Sequence, residues 1–150
     1  MGSGIGICWA GLIYGIIYTN LRQQFGKPVI RYQGVGYGLA DLLTKSTAAT
    51  SLALQAATIY DEKILFADKP SKDAEKWCAA ISSQGKYYTA KLTHDICYEV
   101  QQHMGGVSVT DNTPVDELTD VSKIEEVIGG ARNIQLLLIQ SQIQRFLRLI

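Results

Sequence analysis

Proline interrupts this chain only three times, at Pro28, Pro70 and Pro114, and each interruption lies among turn residues rather than inside an apolar run. A proline lacks the backbone donor and disfavours helical geometry at the residue before it, so it marks where helices stop. Gly26-Lys27-Pro28 is thus expected to break a first helix after Phe25. From about Val35 to Phe66 nothing interrupts, and Leu39, Leu42, Leu43, Ala49, Ala53, Ala56 and Ala57 recur at helical spacing. Asp68 to Asp73 reads as a polar turn in which Ser71 caps a helix running from about Asp73 to Met104. That helix carries Trp77, Ile81, Tyr88, Leu92, Ile96 and Val100 on one side. Gly105-Gly106 ends it as a left-handed C-cap, Val107 to Asn112 reads as a loop, and Thr113-Pro114 form an N-cap and first-position pair. A short helix then runs to about Ile128, and Gly129-Gly130 separates it from a last helix, Ala131 to Leu149. Ile134, Leu136, Leu137, Leu138, Ile139, Ile143, Phe146 and Leu147 make that last helix apolar on several sides, the mark of a buried or interfacial helix. No segment alternates with a sustained period of two. The expected fold is all-α: an up-down four-helix bundle with a short additional helix before the last one, residues 1–150 forming a single helical-bundle domain.

Met1 to Leu21 carries no charged side chain. A signal peptide needs a positive segment before its apolar stretch, whereas the first base here, Arg22, comes after it. The strongest apolar stretch, Ile5 to Tyr18, is 14 residues long, short of the roughly 20 that a membrane span requires. Gly6, Gly11 and Gly15 give it a small-residue stripe that admits close approach of another helix. A buried helix without a membrane span is the expectation. Overall, 14 Lys and Arg balance 14 Asp and Glu, so no field favours nucleic acid or an anionic surface. With only 19% charged residues the surface needs cover, which favours a homo-oligomer or a larger parent protein. Cys8, Cys78 and Cys97 are too few and too far apart for a disulfide framework or zinc site, and read as reduced, buried thiols of a cytoplasmic protein.

Several residues that suggest chemistry have plainer readings. Gly34, Gly36 and Gly38 lack the preceding strand and the spacing of a dinucleotide loop, and read as close packing at the start of a helix. His94 and His103, nine apart on one helix, face opposite ways and cannot share a metal. The acid pairs Asp116-Glu117 and Glu125-Glu126 diverge by about 100° per residue and read as solvated faces.

Three ordered blocks point further. Tyr18, Arg22-Gln23-Gln24-Phe25-Gly26-Lys27, Gln33 and Leu39-Ala40-Asp41 form the first. Lys91 with Gln102-His103-Met104-Gly105-Gly106 forms the second, and Pro114-Val115, Lys123-Ile124, Gly130 and Ile134-Gln135 the third. Together, over essentially the whole chain, they resemble the C-terminal helical domain of acyl-CoA dehydrogenases. The resemblance implies one wall of a flavin and acyl-CoA site, with FAD held mainly by a neighbouring subunit of a homo-oligomer, a dimer or tetramer. Carried over by position, the FAD contacts fall on Arg22, Phe25, Gln33, Gln102 and Gly106. A guanidinium suits a pyrophosphate, a phenyl ring offers a flat apolar face, and glycine admits close backbone approach.

The family's closing segment reads R-D and later Y-E-G-T, its glutamate removing the substrate α-proton. Here those positions are Asp120-Val121 and Ile128-Gly129-Gly130-Ala131, so the usual base is replaced by Gly129 and no catalytic residue is carried over. Some members carry the base on an earlier helix, at a position aligning ahead of Met1. Glu126, near Gly129, is the substitute candidate. Nothing in the chain resembles the family's N-terminal helical and middle β domains, which are its expected partners within a longer protein. The expected function is the FAD-contacting and oligomerisation domain of a flavoprotein oxidising an acyl-CoA at the α,β bond. The alternative is an assembly module of the same family that has lost the base.

Overall fold

The computed structural model describes residues 1–147, with the side chains of Phe146 and Leu147 excepted. The expected helix limit at Leu149 and the apolar contributions of Phe146 and Leu147 thus lie outside the described residues. Helix α1 spans Gly2–Leu21, α2 Gln33–Tyr60, α3 Lys72–Met104, α4 Val115–Val127 and α5 Arg132–Leu147. The long, proline-free α3 is the axis of the bundle. At 33 residues it is about 50 Å long, and α1, α2, α4 and α5 all pack against it. The Ser71 hydroxyl accepts from Ala74 N–H at 3.1 Å, the expected N-cap. At the other end Gly105 adopts φ 72°, which only glycine takes without strain.

Cys8 and Leu12 from α1, Leu39, Leu42 and Ala49 from α2, Leu92, Ile96, Val100 and Met104 from α3, and Val115 from α4 form one core. Each set follows the three- and four-residue spacing of a helix face. Gly11 and Gly15 let α1 lie against α3: a Cβ on Gly15 would meet Val100 Cγ1 at 3.0 Å. The small-residue stripe is shifted from the expected one, however. Gly4, whose Cβ would lie 3.4 Å from Thr89 Cγ2, takes the third position, and Gly6 faces open space. Two of the three glycines at the start of α2 pack closely, since a Cβ on Gly36 would strike the Ile30 carbonyl and one on Gly38 the His103 ring, whereas Gly34 faces open space. Trp9 Nε1 donates to Thr50 Oγ1 at 3.0 Å and ties α1 to α2.

Four details depart from expectation. Helix α1 ends at Leu21, before Phe25, because residues 23–28 form a small antiparallel hairpin, Gln23–Gln24 (β1) against Lys27–Pro28 (β2). Phe25 and Gly26 adopt φ 50° and 82°, the two successive positive values that a tight two-residue hairpin loop needs. Val107 to Asn112 is not all loop, since Gly105–Val109 is a 3-10 turn stitched by Ser108 Oγ donating to the Gly105 carbonyl at 2.7 Å. Thr113 is not the cap of α4: Pro114 holds that place, and Thr113 Oγ1 is enclosed without a hydrogen bond. Finally, Trp77 and Tyr88 are part-exposed, so the inward face of α3 is Ile81, Leu92, Ile96 and Val100.

Two apolar surfaces remain uncovered. Helix α5 touches α3 but leaves Ile134, Leu137 and Ile143 exposed, and α1 leaves Ile13, Ile17 and Leu21 exposed. By length and composition α1 is able to cross a membrane, yet its Gly4, Ile7, Cys8, Gly11, Leu12, Gly15 and Thr19 stripe is packed inside the bundle.

Candidate functional site

The five residues carried over as flavin contacts converge on one end of the bundle. The hairpin after α1 presents Arg22 and Phe25, the first turn of α2 presents Gln33, and the last turn of α3 with its glycine stop presents Gln102 and Gly106. These termini meet because α2 and α3 are antiparallel there, with Gly38 against His103 and Gly15 between Leu39 and Val100. All five are exposed. Phe25 is 92% accessible and stands edge-on to Tyr32, their ring centres 6.4 Å apart. The Tyr32 hydroxyl donates to the Gln24 carbonyl at 2.8 Å, and Lys27 Nζ lies 4.2 Å from its ring centre, so the hairpin is braced against the start of α2. Among the described residues the Arg22 guanidinium forms no ion pair. A Cβ on Gly105 or Gly106 would meet nothing within 4 Å, so backbone is open to a ligand there. A free guanidinium, a bare aromatic face, two amides and open glycine backbone fit a flat, anionic cofactor laid across this end.

Gly129 lies elsewhere. Helix α4 runs back along α3, so its C-terminal turn sits beside Lys86, 16 residues or about 24 Å up α3 from Gln102. Gly129 has φ 70° and open space where a Cβ would stand; the Gln135 amide donates to the carbonyls of Gly129 and Gly130 at 3.5 and 3.3 Å and fixes the turn. Gly129 lines an open cavity of about 350 Å³ together with Ser3, Ser82, Ser83, Lys86 and Glu125.

Glu125 is the residue that sequence reasoning missed. Its place beside Glu126 on a short helix suggests a solvated face, but it is buried between α1, α3 and α4. Lys86 Nζ lies 3.0 Å from its Oε2 and also donates to its main-chain carbonyl at 2.6 Å. Burial pushes the Glu125 carboxyl up, but hydrogen bonds from Ser3 and Lys86 and the Lys86 charge outweigh it and hold it below the usual range. No sequence signal marks it, because Gly4, Lys86 and Glu125 face one another only once α1, α3 and α4 are assembled.

Glu126 does not share that cavity. It pairs with Lys123 at 2.5 Å, which lowers its carboxyl, and it faces the α4–α5 turn beside Ala131, Arg132 and Asn133. His94 Nδ1 lies 3.4 Å from Ser122 Oγ, while His103 abuts α2, so the two imidazoles are apart as expected. Lys91 is exposed on the groove that Tyr87, Gly130 and Arg132 also line.

With this geometry in hand, comparison with known proteins is informative. The family "Acyl-CoA dehydrogenase, C-terminal domain" matches residues 2–144. An acyl-CoA dehydrogenase of Bacillus subtilis (strain 168) is 26% identical over 91% of this chain and 33% of its own length. The bovine mitochondrial short/branched chain specific acyl-CoA dehydrogenase is 32% identical over 88% of this chain and 28% of its own. The structure of butyryl-CoA dehydrogenase from Megasphaera elsdenii superposes with a TM-score of 0.82 at 25% identity, covering 94% of this chain and 34% of that one. The chain thus spans about a third of the length of these relatives. It belongs to the acyl-CoA dehydrogenase family, as a C-terminal domain of that family's all-α type.

Proposed function

We propose that this chain is the C-terminal domain of a longer FAD-dependent protein that oxidises an acyl-CoA at the α,β bond, and that it contributes an FAD wall and an oligomer contact. The observation that carries this reading is the convergence of Arg22, Phe25, Gln33, Gln102 and Gly106, all exposed, on one end. Arg22 would hold a phosphate by charge-assisted bonds, Phe25 would cover an aromatic ring, and Gln33 and Gln102 would donate from their amides. FAD, when bound, supplies the hydride acceptor. The separation of this end from Gly129 by about 24 Å along α3 supports a flavin shared between subunits, one end of the domain serving a partner's site. The uncovered Ile134, Leu137 and Ile143 of α5 support burial against a partner subunit or the missing domains. Three free thiols support a reducing, cytoplasmic setting.

The test is FAD retention by the full-length protein. Arg22→Ala is expected to weaken it about 10- to 100-fold, the worth of a hydrogen bond to a charged group at about 1.5–3 kcal/mol. Phe25→Ala is expected to weaken it as well, and retention unchanged in both variants contradicts the reading. Gly129 favours a second reading, an assembly module of the family without catalysis. That reading is supported if the protein oligomerises, binds FAD and leaves it oxidised in the presence of every acyl-CoA tried.

A further inference from the structure

The cavity that Gly129 lines holds one carboxylate, and it is Glu125 rather than Glu126. Resting on the reading that the chain serves acyl-CoA chemistry, we propose that the Glu125 carboxylate accepts the α-proton of an acyl-CoA whose thioester enters this cavity. Three observations converge on it. Glu125 and Gly129 line the same cavity, Glu125 from the last turn of α4 and Gly129 from the stop that follows it. At about 350 Å³ the cavity is large enough for a thioester and the first carbons of an acyl chain. The carboxylate is held by Lys86 Nζ, 3.0 Å from its Oε2 and 2.6 Å from the Glu125 carbonyl, so it is oriented before a substrate arrives.

The step balances without any further reagent. The substrate Cα–H bond breaks, the proton passes to a Glu125 carboxylate oxygen, and the electron pair stays on the thioester as its enolate. Once Glu125 is neutral, the Lys86 ammonium has lost its anionic partner and its charge is left to offset the enolate, so the cavity carries no net change in charge. In D2O the reverse step returns a deuteron to the α-carbon.

The experiment follows α-deuterium incorporation into a panel of straight-chain acyl-CoAs, from acetyl- to octanoyl-CoA, by the FAD-loaded full-length protein. Wild type is expected to exchange at least one member. Glu125→Gln is expected to slow exchange about 10²- to 10⁴-fold, the usual worth of a positioned base, with FAD content retained. Glu126→Gln is expected to exchange like wild type. Placing the family's own base back, Gly129→Glu on the Glu125→Gln background, is expected to restore part of the exchange: open space surrounds that position, while its φ of 70° strains any side chain placed there. Should Glu125→Gln fail to fold with Lys86 left unpaired, the double variant Lys86→Met/Glu125→Gln removes both charges and carries the same comparison. Exchange persisting in Glu125→Gln, or lost in Glu126→Gln instead, overturns the proposal while leaving the acyl-CoA reading intact. Loss in Glu125→Gln accompanied by loss of FAD or of cooperative unfolding, in both it and the double variant, assigns Glu125 a structural role and also overturns it. Wild type that exchanges no member of the panel overturns the proposal, and reduction of the flavin by the same panel then decides the acyl-CoA reading separately.

Discussion

Replacing Lys86 by methionine isolates the Lys86–Glu125 pair, because methionine keeps most of the aliphatic stem and removes only the charge. Breaking a buried pair from one side strands the other charge, a loss of about 3–5 kcal/mol. The two side chains are 13% and 9% accessible and the neighbouring cavity admits water, so the lower end, about 3 kcal/mol, applies. In a domain of this size each kcal/mol moves Tm by about 2–4 °C, which predicts a fall of about 6–12 °C. The double variant Lys86→Met/Glu125→Gln has no stranded charge and should recover most of that loss. It remains short of wild type by about 1 kcal/mol, since the bond from Lys86 Nζ to the Glu125 carbonyl at 2.6 Å is still missing. Thermal unfolding of the four proteins forms a double-mutant cycle; with about 3 kcal/mol lost in each single variant and about 1 in the double, the expected coupling is about 5 kcal/mol. A single-variant loss under about 0.5 kcal/mol, or the same Tm fall with and without Glu125, refutes the buried pair.

Three further outcomes follow from the same geometry. Glu125 is held below its ordinary value of 4.5 in the folded state, so its stabilisation is fully present above the unfolded value and is lost as pH falls through the folded one. The stability difference between wild type and Glu125→Gln should therefore stay constant from neutral pH downward and shrink only below about 4.5; shrinkage near neutrality contradicts the assignment. Gly6→Ala, in open space, should stabilise by up to about 1 kcal/mol, whereas Gly15→Leu, forced against Val100, should destabilise by about 1–3 kcal/mol in a urea titration. Burial pushes the Cys8 thiol to about 12, helped by Cys97, and the Cys97 thiol to about 11, so native protein should leave both unmodified by a thiol reagent that labels them after unfolding.

The bundle was legible wherever backbone chemistry is local. Ser71 caps α3 and Gly105 stops it because a hydroxyl acceptor and a positive φ are properties of single residues, readable without tertiary context. The end of α1 was not, because the hairpin loop puts Phe25 at φ 50°, a conformation its side chain does not advertise; packing of Tyr32 and Lys27 decides it. Thr113-Pro114 looked like a cap, yet the chain enters α4 one residue later than that pairing needs. At the candidate site, the flavin-facing residues were placed by resemblance, and the antiparallel helices explain why three separate segments share one end. Glu125 was invisible for the opposite reason. A charge next to another charge on a helix normally faces water, and only the assembly of α1, α3 and α4 turns Lys86 and Ser3 towards it.

The most direct measurement is the flavin absorbance of the FAD-loaded full-length protein under anaerobic addition of the acyl-CoA panel. If the domain serves acyl-CoA oxidation, at least one member reduces the flavin and bleaches its visible band, and Glu125→Gln slows the bleaching. A flavin that remains fully oxidised with every member contradicts the account and leaves the bundle an assembly module.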